Sequence, residues 1–120
     1  MKILMIDDSK AIHVFVKDIF KGSPHTFEDA FNGKEGIEKL KGGTFDLVLL
    51  DWEMPIMTGP ETLKMIVSMG VKCPVIMMTS KNAPEDIAAM LEAGAAEYVI
   101  KPFTNEILME KVANVVSTAA

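Results

Sequence analysis

Phe45-Asp46-Leu47-Val48-Leu49-Leu50-Asp51 decides the fold. A strand with one wet face alternates apolar and polar residues. Leu47 through Leu50 do not alternate, so a strand over residues 45–50 is buried on both faces, the habit of a parallel sheet covered by helices. Working outward, the same kind of short run recurs on both sides. Ile3-Leu4-Met5-Ile6 belongs to a strand at Lys2–Ile6, Val75-Ile76-Met77-Met78 forms another, and Tyr98-Val99-Ile100 a last one. Residues 25–30, between Pro24 and Asn32-Gly33, make a weaker strand.

Helical periods fill the gaps. Ile12, Phe15, Val16 and Ile19 follow the i, i+3, i+4, i+7 stripe of an amphipathic helix, and Gly22 stands where it ends. Asn32 with Glu35 has the form of a capping box for a short second helix marked by Ile37 and Leu40. Gly59-Pro60 opens a third, with proline in its first turn and Leu63, Ile66 and Val67 as its inward stripe. Pro84 starts a fourth, with Ile87, Met90 and Leu91 inward. Thr104 caps a fifth carrying Leu108, Val112, Val115 and Val116. Five strand-then-helix units in 120 residues predict an α/β domain with a doubly wound parallel sheet, without linker or second domain.

Composition narrows the function. Net charge is −5, from 17 acids and 12 bases, and every base is lysine. That lacks the basic excess of an autonomous nucleic-acid binder. The apolar runs are too short for membrane insertion, and Lys2 with the run after it is too little for a secretory signal. A lone cysteine, Cys73, forms no internal disulfide and reads as a small, half-buried apolar residue before a strand. A reducing cytoplasm is the expected compartment. The ten methionines fall mainly in apolar stripes as core filler. Met54 and Met57, flanking Pro55, are expected to be partly exposed.

Polar residues stand where the apolar runs stop: Asp7 and Asp8 after the first, Asp51 after the third, Thr79 and Ser80 after the fourth, Lys101 after the fifth. In a parallel sheet these ends share one edge, where open α/β sheets bind ligands. Singly, each has an ordinary reading: Asp7-Asp8 as a helix N-cap, Asp51 as a common strand terminator, Thr79 as a β-branched strand residue, Lys101 as a solvated lysine. Together they make a carboxylate cluster, a hydroxyl and an ammonium. Three converging carboxylates repel and call for raised pKa values or a cation. Mg²⁺, a hard ion held by carboxylates, is the natural one. A carboxylate can also attack phosphorus and form an aspartyl-phosphate. Lys101, the Thr79 hydroxyl and backbone N–H groups near Ser80 and Glu53 would then meet the phosphoryl oxygens.

These pieces, in this order, resemble a response regulator receiver domain over the whole of residues 1–120: Asp7-Asp8, then Asp51-Trp52-Glu53-Met54-Pro55, Met57-Thr58-Gly59, Thr79-Ser80, Gly94-Ala95 and Lys101-Pro102-Phe103. The resemblance implies a flavodoxin-like (βα)5 fold with strand order 2-1-3-4-5. It implies that Asp51 is the phosphoacceptor, that Asp7, Asp8, Asp51 and the backbone carbonyl of Glu53 hold Mg²⁺, and that Thr79 and Lys101 contact the phosphoryl group. Tyr98 matches the family's aromatic switch residue, moving with Thr79. Lys101-Pro102 is expected to be cis. Glu53, Ser80 and Lys81 would flank the phosphoryl group. Glu53 and Lys81 carry opposite charges, as either a pair over the mouth or two independent solvated side chains. The implied donor is a sensor histidine kinase or histidine phosphotransfer protein. The output is a change in the face of residues 87–91, Tyr98 and 105–111, read by a downstream target protein. Because residues 105–120 complete a fifth helix and no DNA-binding segment follows, the likeness is to stand-alone receivers of the chemotaxis and phosphorelay type, which are not enzymes acting on a separate substrate.

Two other classes share parts of this pattern. A Mg²⁺-dependent phosphatase with an aspartyl nucleophile also uses a doubly wound sheet, but with an Asp-x-Asp pair after the first strand and a cap over the substrate. Here the acids are adjacent and the loops short. A nucleotide or flavin module would need a glycine-rich phosphate loop, and the Ser9-Lys10 turn has none.

Overall fold

The computed structural model describes the backbone of residues 1–119 and the side chains of residues 1–116. The elements are β1 (Lys2–Ile6), α1 (Lys10–Ile19), β2 (Thr26–Ala30), α2 (Gly33–Gly42), β3 (Leu47–Asp51), α3 (Gly59–Ser68), β4 (Val75–Thr79), α4 (Pro84–Glu92), β5 (Glu97–Ile100) and α5 (Asn105–Ala119). All strand pairs are parallel, in the order β2-β1-β3-β4-β5. This is the expected doubly wound, flavodoxin-like sheet. The order reverses between β1 and β3, which is where such sheets open a crevice at their carboxyl edge.

Successive strand side chains point to opposite faces, and two cores follow. Leu4, Ile6, Val48, Leu50 and Met77 pack with Ile37, Leu40, Leu63, Ile66 and Met90 of α2, α3 and α4. Ile3, Met5, Leu47, Leu49, Ile76, Met78 and Val99 pack with Val16, Phe20, Leu108, Val112 and Val115 of α1, its cap and α5. Leu47, Val48, Leu49 and Leu50 are all fully buried. Each such side chain stabilises by about 1.5–3 kcal/mol, which lets β3 end on a buried carboxylate and still fold.

Several boundaries and stripes differ from expectation. β3 begins at Leu47 because Asp46 turns its backbone N–H and its carboxylate to Lys2, at 2.8 and 2.7 Å. β2 begins at Thr26, and His25 instead meets the N-terminal ammonium at 2.8 Å. On α1 the inward face is His13, Val16 and Phe20, while Phe15 is 42% exposed. Val67 and Leu91, read as inward, are 52% and 44% exposed. Gly22 does adopt positive φ, but α1 ends earlier, with Phe20 as its C-cap. Met54 is buried and packs into the α2–α4 core, whereas Met57 is half-buried. Asn32 caps α2 through the Glu35 N–H at 2.8 Å, but Glu35 reaches back to the Phe31 N–H, so the box is not reciprocal. The reciprocal capping box belongs to Thr58 and Glu61 on α3. Cys73 is half-buried, and burial pushes its thiol pKa up.

Candidate functional site

The ladder register brings the polar strand ends together. Ile6 lies opposite Leu50, so Asp7 and Asp51 emerge side by side, and Thr79 lies opposite Ile100, next to Lys101. Asp7 is fully buried, Asp51 is buried and Asp8 is exposed. One carboxylate oxygen of each lies within 4.8 Å of the others. The N-cap reading of the acid pair fails: Ser9 caps α1 through the Ile12 N–H, while Asp7 Oδ1 accepts the Ser9 N–H at 2.8 Å. The two acids are left facing the sheet edge.

Lys101 is drawn into this cluster rather than into solvent. Its Nζ donates to Asp7 Oδ2 at 2.9 Å and to Asp51 Oδ1 at 3.0 Å. Burial would lower the Lys101 pKa, but its bonds to Asp7 and Asp51 outweigh that and raise it. Burial pushes the Asp51 pKa from 3.8 up to about 6, with Asp7 and Asp8 adding to the rise and Lys101 opposing it. One ammonium thus stands against three carboxylates. The acid cluster could hold a metal ion: its donors are all carboxylate oxygens, the set that suits a hard divalent cation.

Beside the cluster lies a cleft of about 170 Å³ lined by Asp51, Trp52, Glu53, Thr79, Ser80 and Lys101. Thr79 is buried, and its hydroxyl oxygen accepts the Lys81 N–H at 2.9 Å, which leaves its proton free to donate. Glu53 and Lys81 are both exposed and form no ion pair with each other among the described residues. Tyr98 is half-buried on β5 and does not line the cleft; the Lys111 ammonium sits 4.6 Å from its ring centre. Lys101-Pro102 is cis, as expected.

Local backbone chemistry explains how close these parts come. A Cβ on Gly59 would stand 2.4 Å from the Asp51 carbonyl oxygen and 2.5 Å from Trp52 Cα. Only glycine lets α3 start against the end of β3, where its N–H donates to Trp52 O at 2.9 Å. Ile56, in the loop between them, is held at φ 70° and is 77% exposed. The connections at this edge, residues 7–9, 52–58, 80–83 and 101–104, are short, none longer than the segment between β3 and α3.

Two buried polar residues are not marked by the apolar stripes: Thr62 on α3, whose hydroxyl donates to Thr58 O at 2.8 Å, and His13 on α1. His13 lies on the inner face of α1 and touches the peptide of Asp7. Its spacing to Val16 and Phe20 places all three on one stripe, a signal masked by the more apolar Ile12, Phe15 and Ile19.

Comparison with known proteins agrees with this geometry. The family described as "Response regulator receiver domain" matches residues 3–113. Chemotaxis protein CheY of Pseudomonas aeruginosa is 35% identical over 116 residues, covering 93% of each chain. Transcriptional regulatory protein DltR of Streptococcus agalactiae serotype III is 31% identical over 112 residues, 93% of this chain and 50% of that protein. The chain thus spans about half the length of that relative. Among solved structures, CheY4 of Vibrio cholerae superposes with a TM-score of 0.88 at 30% identity, covering 95% of this chain and 97% of that one. The receiver domain of Francisella response regulator 1452 gives a TM-score of 0.92 at 28% identity, covering 99% and 98%. The chain belongs to the response regulator receiver domain family, whose general role is phosphorylation-mediated signalling in two-component systems.

Proposed function

We propose that residues 1–120 act as one receiver domain that takes a phosphoryl group onto Asp51 from the phosphohistidine of a sensor kinase or histidine phosphotransfer protein. The observation that carries this is the buried Asp51 carboxylate, bound by Lys101 at 3.0 Å beside a cleft that Thr79 and Ser80 also line. An Asp51 oxygen forms the new bond to phosphorus as the bond from phosphorus to the donor imidazole nitrogen breaks. The imidazole leaves with the electron pair and takes a proton. Lys101 swings from Asp51 to a phosphoryl oxygen while keeping Asp7, and the Thr79 hydroxyl donates to another. Ser80, Glu53 and Lys81 flank the entering group. Asp7, Asp8, Asp51 and the backbone carbonyl of Glu53 would hold Mg²⁺, which would supply the remaining positive charge.

The output follows from Thr79. To donate to the phosphoryl group its hydroxyl shifts, and Tyr98 moves inward with it. This alters the face formed by α4, β5 and α5, where Leu91 and Ile107 are already exposed for a target protein. The same chain carries out its own phosphorylation and dephosphorylation without turning over a separate substrate. Its partners are proteins and its setting the cytoplasm.

Incubation with Mg²⁺ and acetyl phosphate tests the central step. Intact mass should gain one phosphoryl group, and Trp52 fluorescence should change with it. Asp51→Asn should do neither, since an amide is not a comparable nucleophile. Equal labelling of that variant would overturn the assignment.

A further inference from the structure

His13 is 3% exposed, and α1 carries it beneath the carboxyl end of β1. Its Nε2 lies 2.7 Å from the carbonyl oxygen of Asp7. Its Nδ1 lies 2.6 Å from Asp29 Oδ1, and the Phe31 ring packs against it with centroids 4.5 Å apart. Asp29 is itself paired with Lys17. Burial would raise the Asp29 pKa, but hydrogen bonds from Lys17 and His13 outweigh this and hold the carboxyl below its ordinary value, as an acceptor.

We propose that His13 is a positioning residue for the acidic cluster: its Nε2–H fixes the Asp7 carbonyl, and with it the peptide that joins Asp7 to Asp8, whose carboxylates both reach the cluster. The inference rests on the reading of Asp7, Asp8 and Asp51 as the Mg²⁺ site. Asp7 has left the strand ladder of β1, and its peptide is held from two sides. Its N–H donates to Ala30 O at 3.1 Å, and its carbonyl accepts from His13. A carbonyl oxygen can only accept, so Nε2 must carry a proton, and Asp29 with Phe31 fixes the ring that presents it. Beyond that peptide, Asp8 is exposed and has no described hydrogen bond or ion pair of its own among the described residues. The Asp7–Asp8 peptide therefore sets the direction in which Asp8 offers its oxygen. Groups that orient metal ligands from behind in this manner change affinity by about 10–100-fold when removed.

The test separates a donor at one atom from simple packing. His13→Gln can place an N–H where Nε2 stood; His13→Asn can place one only where Nδ1 stood; His13→Leu has none. Mg²⁺ binding to the unphosphorylated protein is titrated by Trp52 fluorescence at constant ionic strength, and the melting temperature of each metal-free variant is measured alongside. Wild type and Asp51→Asn are run as references. We expect the Asn and Leu variants to bind Mg²⁺ about tenfold more weakly, and Gln to stay within about twofold of wild type even where its melting temperature falls. If Leu does not fold, Gln against Asn decides the matter. Wild-type affinity in Asn or Leu, or a loss in Gln as large as that in Asn, overturns the positioning role. A wild type that does not respond to Mg²⁺ overturns the metal site itself, a different outcome.

Discussion

Asp51→Asn should stabilise the metal-free protein, and only where Asp51 would be ionised. Burial and the neighbouring Asp7 and Asp8 carry the Asp51 pKa from 3.8 to about 6. A raised carboxyl pKa means that the folded state holds a proton the unfolded chain has already lost. Stability attached to this group is therefore present below about pH 4 and drains away as pH rises through about 6. Two pH units at about 1.4 kcal/mol each give about 3 kcal/mol, an upper bound because the Lys101 ammonium is bound to the same carboxylate. Asparagine does not titrate, so the stability of the variant minus that of wild type should grow by up to about 3 kcal/mol between pH 4 and pH 7.5. In a chain of 120 residues this corresponds to about 10 °C in melting temperature. Urea denaturation followed by Trp52 fluorescence, with a chelator and fixed ionic strength, measures it. Adding Mg²⁺ at one hundred times its dissociation constant should return about 2.7 kcal/mol to wild type and much less to the variant. Parallel stability curves for the two proteins from pH 4 to pH 8 would refute the picture of Asp51 as a strained, desolvated carboxylate.

Thr79→Ala should still accept phosphate on Asp51 but blunt the change across residues 87–111. Phosphorylated wild type and variant showing the same amide chemical shifts there would break the proposed relay. Because the hydroxyl also accepts the Lys81 N–H, the variant should lose about 1 kcal/mol of stability. Glu53→Ala and Lys81→Ala should each alter the rate of phosphate loss, and their effects should add, since no pair links them; a non-additive double variant would reveal a pair formed only after phosphorylation. Gly59→Ala should cost about 1–3 kcal/mol, as for overpacking, because its Cβ would meet the backbone of Asp51 and Trp52. It should also slow phosphorylation by displacing β3's end, and an unperturbed variant would show that the close approach is not required.

The sheet was legible because its signal is redundant. Four runs without alternation, each followed by a polar residue, specify both the parallel sheet and the edge where it works. β2 was the weakest to read for a physical reason: it is an edge strand of the pattern Thr26-Phe27-Glu28-Asp29-Ala30, with only Ala30 fully buried. The polar edge was legible as a set of strand ends, and strands β3 and β4 extend to include Asp51 and Thr79 themselves. What sequence could not resolve was whether Asp7 and Asp8 cap α1, because a carboxylate before a helix suits both roles. The backbone settles it by giving the cap to Ser9.

The helix stripes were misread at α1, and the error is informative. Burial of apolar residues is a one-way rule, so an exposed Phe satisfies a helical period as well as a buried one. Phe15 is counted into an inward stripe on chemistry alone, yet it lies with Ile12, Pro102 and Phe103 around an apolar cavity at the carboxyl edge of the sheet. Its place on the stripe of the core is taken by His13, a polar residue that periodicity discards. Both departures occur at the same end of α1, next to Asp7 and Lys101. A helix that only had to cover the sheet would bury its aromatic and expose its imidazole. α1 does the reverse, because its first turns must also hold a peptide of the acidic site, and a leucine or phenylalanine at residue 13 would leave the Asp7 carbonyl without a donor.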